Sequence, residues 1–319
     1  MSGMARNAGK LTALGTACIL SVCGAASSAF AGSVMQPGET VGLAVGAPLP
    51  EGLYFIDTLD WGVRTTNPKS ALGVNIPVLA WSTPWTFLGG RVEILAAWPE
   101  LEAGTFGGPH FVDGFEVNNG SFNATMYNPI VLGMIAWDLG NGFGFSYGIG
   151  NYFDVGYPLA WSTNSLRQDF ALSYTANDWN LSATVGFGID FSQFSNGRGQ
   201  VSPCTNPVTD QFGGCNPDWL NLDLTATHKF GKWELGPVAF GSWDLSSPIV
   251  GYQRQEQFAV GGLVGYNFGP IDVQAYVTST VWERNYGGND TRGWFRVVVP
   301  LWSPAPQEAA LPVKAPRLQ

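Results

Sequence analysis

Side chains of an extended strand point alternately to opposite faces, so a sustained period of two constrains a fold more tightly than composition does. That period runs through WNLSATVGFGIDF, from Trp179 to Phe191. Leu181, Ala183, Val185, Phe187, Ile189 and Phe191 form one apolar row, while Ser182, Thr184, Gly186, Gly188 and Asp190 form a small, polar one. The pattern recurs at Phe143, Phe145, Tyr147 and Ile149, at Leu220, Leu222, Leu224 and Ala226, and at Ile271, Val273, Ala275 and Val277. No stretch beyond the N-terminal leader carries a convincing helical period, which predicts an all-β protein. One such strand would fit a soluble sandwich equally well.

The connections separate the two architectures. LGNG (139–142), ANDW (176–179), KFGK (229–232) and NFGP (267–270) have the Gly and Asn that tight reversals require. Longer segments at roughly 151–166, 192–217, 245–256 and 283–291 alternate with them. Short turns on one side and long loops on the other are the habit of an outer-membrane hairpin barrel. Twelve strands are expected, at 52–64, 73–82, 86–98, 122–138, 142–151, 167–176, 179–191, 218–229, 232–244, 257–267, 270–282 and 292–302. Most match the roughly 9–11 residues that cross a bilayer at a tilt rather than the 5–6 common in globular sheets. Trp179, Trp219, Trp233, Trp243, Trp282 and Trp302 stand at segment ends, where indoles suit the headgroup level. The fold expected is all-β, a closed antiparallel transmembrane β-barrel of about 12 strands. Its apolar rows meet lipid, and its polar rows line the lumen.

Arg6 and Lys10 precede the apolar run from Leu11 to Ala26, and Ala29-Phe30-Ala31 follows as a small-residue cleavage site. Residues 1–31 therefore read as a signal peptide. Residues 32–51 read as a periplasmic or lumen-entering segment, 52–302 as the barrel, and 303–319 as a disordered Pro/Ala-rich tail. The chain is acidic, with net charge −9, and shows no basic patch of the kind nucleic acid requires. The partners expected are outer-membrane lipid, the outer-membrane insertion machinery and small solutes. Beyond the leader only Cys204 and Cys215 remain, bracketing a Pro/Gly/Asn-rich loop, which predicts a disulfide in an oxidising compartment.

PLPEGLYFIDT (48–58), YNPIVLGMIAWDLGNGFGFSYGIGNYFDVGYP (127–158) and ELGPVAF (234–240) together resemble the MetA-pathway of phenol degradation, or SphA-like, family of outer-membrane transporters. The likeness spans roughly residues 37–302, through a P-x-G-x-Y-F opening, an N-P-x-x-L-G-x-x-x-W strand and a G-P strand. It implies a barrel that helps small hydrophobic or aromatic compounds into the cell by passive diffusion, without cofactor. It carries no established binding residues.

Alternation turns Asp60, Arg64, Arg91, Glu93, Asp223, Asp272, Gln274 and Arg296 inward. Arginine facing hydrocarbon at mid-depth would cost about 2–4 kcal/mol. These residues are candidates for a polar constriction or for charge pairs that knit the lumen, and closure of the last strand on the first would bring Arg296 near Asp60. Tyr54, Tyr276 and Phe240 are candidates for aromatic lining. Asp57 breaks the pattern by falling on the lipid row with Leu53, Phe55 and Leu59. A general ion-conducting porin is the nearest alternative. An outer-membrane barrel hydrolase would centre on His110, with Asp113 close by in sequence, but no serine stands in a nucleophile elbow, so no enzyme and no metal site is expected. His228 reads as a polar residue at the periplasmic rim.

Overall fold

The computed structural model describes residues 33–304 apart from 67–68, 107–109, 113–114, 118–120, 156–163, 192–215 and 248–251. The leader (1–31), the cysteine pair Cys204 and Cys215, and all but the first two residues of the tail lie outside the described residues.

Sixteen strands are described. They are β1 (Gly52–Arg64), β2 (Ser70–Phe87), β3 (Gly90–Ala97), β4 (Glu100–Thr105), β5 (His110–Val112), β6 (Phe115–Val117), β7 (Ser121–Met126), β8 (Ile130–Gly140), β9 (Phe143–Tyr152), β10 (Ser165–Tyr174), β11 (Trp179–Asp190), β12 (Trp219–Phe230), β13 (Trp233–Asp244), β14 (Glu256–Asn267), β15 (Asp272–Arg284) and β16 (Asp290–Trp302). β1 pairs antiparallel with both β2 and β16, so the sheet closes. The closed ring is β1, β2, β3 and β8 to β16, twelve strands as expected. Closure leaves no exposed strand edge in hydrocarbon, where unpaired backbone groups cannot be tolerated.

The first four staves are less regular than the alternation predicts. β2 is 18 residues long and changes partners midway: residues 78–87 pair with β3, and 70–75 pair with β4. The expected strand 122–138 is broken into β7 and β8 around Tyr127, Asn128 and Pro129. Its neighbour is broken at Trp98 and Pro99 at the same level. Proline lacks the N–H a ladder needs, so paired breaks at Pro99 and Pro129 end both ladders together. Beyond the break, β4 and β7 rise as a hairpin, and β5 and β6 form a separate two-stranded pair.

Cross-strand partners confirm the two faces. On β11, Leu181 is exposed on the outside, whereas Thr184 is buried inside. Trp61, Trp85, Trp98, Trp179, Trp233, Trp282 and Trp302 are exposed, as girdle residues should be. Trp219 is a correction. It lies on the inner row of β12 opposite Gly188, is fully buried, and belongs to the interior cluster with Val34, Met35 and Leu72. Only glycine at 188 leaves room for that indole.

Inside the barrel lies the chain from Ser33 to Pro50. It advances by short turns, with Val41 N donating to Gly38 O and Leu43 N to Thr40 O. Gly38 and Gly42 take φ of +94° and +86°, the left-handed region that favours glycine. A Cβ at Gly38 would stand 2.8 Å from Phe240 and 2.9 Å from Trp294, so the wall also demands a bare backbone here.

Candidate functional site

A chain threading a barrel has no sheet partner, yet its buried N–H and C=O groups need hydrogen bonds. The polar inner row supplies them. Asp223 on β12 accepts from Gly38 N at 2.8 Å, Thr40 N at 2.9 Å and Thr40 Oγ1 at 2.7 Å. Gly42 N donates to Thr225 Oγ1 at 2.8 Å, and Gly46 N donates to Ser173 Oγ at 2.9 Å. Leu49 N donates to Glu93 Oε1 at 2.8 Å. In the other direction, Gln274 Nε2 and Asn180 Nδ2 each donate to Gly42 O at 3.0 Å, and Tyr276 OH donates to Gly38 O at 3.0 Å. Arg296 donates to the carbonyls of Val41 and Glu39.

This places the residues selected from the sequence. Asp60, Arg64, Glu93, Asp223, Gln274 and Arg296 are buried on inner positions. Arg296 gathers Gln274, Tyr276 and Thr58 around one guanidinium, with contacts of 3.1, 3.2 and 2.8 Å. Tyr276 stacks on Trp294, with centroids 5.0 Å apart, and Phe240 meets Trp294 edge-on. Three candidates stand at the end of the barrel that carries the short turns, away from this group. Arg91 donates to Thr83 O at 2.9 Å, Asp272 is exposed and accepts from Asn267, and Tyr54 OH donates to Pro50 O. The expected approach of Arg296 to Asp60 is corrected by the closing register. Thr58 lies opposite Arg296, and Asp60 pairs instead with Arg292, which also holds Asp290 at 2.8 Å. Asp57 does point outward, opposite Val297 and Pro77, and nothing in the structure explains it.

The residues not selected from the sequence are Glu39, Tyr152, Arg167, Asp169, Tyr286, Asp290 and Arg292, although Arg292 shares the inward row of Arg296. Arg167 and Asp169 are two apart and hence on one face, a signal present in the sequence. Arg167 Nε lies 2.9 Å from both Asp169 oxygens, and its Nη1 reaches Glu39 at 2.6 Å and the Tyr152 hydroxyl at 2.8 Å.

The inner wall is not polar all round. On β2 the inward row is Leu72, Val74, Ile76, Val78 and Ala80, and it continues through Leu95, Leu101, Ile130 and Leu132. Between this apolar sector and the threaded segment lies a cavity of about 160 Å³. Arg64, Arg167, Asp169 and Tyr286 stand among its polar lining. Arg64 Nη2 donates to Tyr286 OH at 2.6 Å, and its guanidinium lies 4.0 Å over that ring. Burial raises the Tyr286 phenol above its ordinary range, only partly offset by Arg64, so the phenol stays neutral and does not balance the guanidinium.

His228 packs between Trp179 and Phe230, at 4.7 and 4.6 Å, as an interfacial residue would. His110 lies in the β5–β6 pair, opposite Val117. Among the described residues no three His, Cys, Asp or Glu side chains are grouped to hold a metal ion.

Comparison with known proteins places the family and the fold. The family model described as "Putative MetA-pathway of phenol degradation" matches residues 61–297. The chain belongs to this family. The fold of this family member is similar to the crystal structure of an outer membrane channel from Pseudomonas putida F1, with TM-score 0.60 and 11% identity over 83% of this chain and 99% of that one. The NanC porin aligns with TM-score 0.43 and 10% identity, covering 77% of this chain and all of its own. No curated protein sequence matches.

Proposed function

We propose that this family member is a non-catalytic channel of the Gram-negative outer membrane, carrying small hydrophobic or aromatic compounds inward by passive diffusion. The observation that supports the reading most is the apolar sector inside the barrel, where a porin for ions would present polar side chains. An apolar solute crossing here keeps contact with Leu, Val and Ile while the outer leaflet's charged headgroups are bypassed. Family membership agrees with this substrate class. The segment from Ser33 to Pro50, hydrogen-bonded across the lumen, weighs against a wide water-filled pore.

The test compares the initial rate of toluene uptake by cells that have or lack the protein, with and without an uncoupler. Faster uptake that survives the uncoupler is expected. Equal rates with and without the protein would overturn the proposal. Large ohmic conductance steps in a planar bilayer would favour a general ion-conducting porin.

A further inference from the structure

Two guanidiniums border the lumen cavity, and they differ in what they hold. Arg167 holds Asp169, Glu39 and Tyr152 through Nε and Nη1. Arg64 is 4% exposed, and its Nε has no hydrogen-bond partner. Its cross-strand neighbour on β16 is Asp290, but the ion pairs of Asp290 and Asp60 are both made with Arg292, through Asp290 Oδ2 and Asp60 Oδ1, while the other oxygen of each has no hydrogen-bond partner. Among the described residues no carboxylate forms an ion pair with Arg64, and its Nη2 donates to the Tyr286 hydroxyl. A buried guanidinium that lacks a direct ion pair and leaves Nε unbonded is costly, so a site that keeps one is set for an acceptor to arrive.

The space beside it has a definite size. A cavity near 160 Å³ with walls such as Leu72, Val74, Ile76, Leu101, Ile130 and Leu132 is comparable with engineered apolar cavities of roughly 150 Å³ that take up benzene. A planar carboxylate matches the guanidinium fork, and Arg64 has an uncommitted Nε to offer it beside the Nη2 that donates to Tyr286.

We infer that this cavity is a binding site for a single-ring apolar monocarboxylate, its ring against the β2–β4–β8 wall and its carboxylate on Arg64. The inference rests on the channel reading above and narrows its solute class from hydrophobic or aromatic compounds in general to aryl carboxylates.

The test is calorimetric titration of full-length protein in phosphatidylcholine nanodiscs with benzoate and with its neutral analogue benzyl alcohol. Benzoate is expected to bind more tightly. Arg64→Gln should weaken benzoate by about tenfold or more, the loss of a charge-assisted pair, and leave benzyl alcohol almost unchanged. Arg64→Lys, which keeps the charge but not the fork, should recover part of the benzoate affinity. Leu72→Trp, which fills the cavity, should abolish both. A heat-dependent shift in gel mobility certifies that each variant is a folded barrel. Equal affinity for the two ligands, or equal loss of both in Arg64→Gln, overturns the inference while leaving uptake of aromatic compounds standing. Binding of neither ligand to folded wild-type protein also overturns it, and toluene uptake then judges the channel reading separately.

Discussion

Arg292 on β16 and Asp60 on β1 form a buried ion pair across the seam where the barrel closes, and the same guanidinium holds Asp290 on its own strand. Last strand is thereby tied to first by a charge as well as by the backbone ladder from Leu53 to Arg64.

Arg292→Gln should therefore be among the most damaging single changes in the lumen. It strands two buried carboxylates, and breaking one buried pair typically costs about 3–5 kcal/mol. Adding Asp60→Asn and Asp290→Asn to Arg292→Gln should recover much of the loss. Urea unfolding of the folded barrel in lipid, followed by gel mobility, measures both, and a triple variant no better than the single would refute the pairing.

Glu39 and Asp169 share Arg167 unequally. Asp169 meets Nε with both oxygens, whereas Glu39 reaches Nη1 from the threaded segment. Glu39→Gln leaves the Asp169 pair intact and should cost about 1–3 kcal/mol, the worth of one charged hydrogen bond. Asp169→Asn should cost more. The reverse order in unfolding experiments would contradict this geometry.

Gly38→Val should free the segment from the wall. The residue stands at φ +94°, where a β-branched side chain is strained, and its Cβ would crowd Phe240 and Trp294. Its loss would also take Gly38 N from Asp223. The expected outcome is an intact barrel with higher ionic conductance than wild type; unchanged conductance would place the barrier elsewhere.

Cys204 and Cys215 are expected to be joined. Alkylation of non-reduced mature protein should add no label by mass spectrometry, and two labels would refute the disulfide.

Much of this barrel was legible because the direction of a strand side chain is a local property. Asp60, Arg64, Glu93, Asp223, Gln274 and Arg296 follow from parity alone, as do the lipid-facing Leu181 and Trp179. Parity cannot say which inward residues meet. Arg292 takes Asp60 because the closing register sets Arg296 opposite Thr58, a two-residue difference that parity leaves unmarked. Nor could the alternation show that the lumen's polar groups serve a threaded chain rather than one another. Among the described residues Asp223 forms no ion pair; it finds three donors on Gly38 and Thr40, contributed by residues more than 180 positions earlier.

The sequence by itself determined an all-β chain with twelve staves, two faces and short turns on one side, because period two and turn chemistry act between near neighbours. Tertiary structure alone decided that β2 turns Leu72, Val74 and Ile76 inward, against the usual apolar-out order of a barrel. It also decided that residues 33–50 cover that sector and that Arg64 is left facing a cavity. Those outcomes depend on register and closure, which join residues far apart in sequence through contacts that no local pattern encodes.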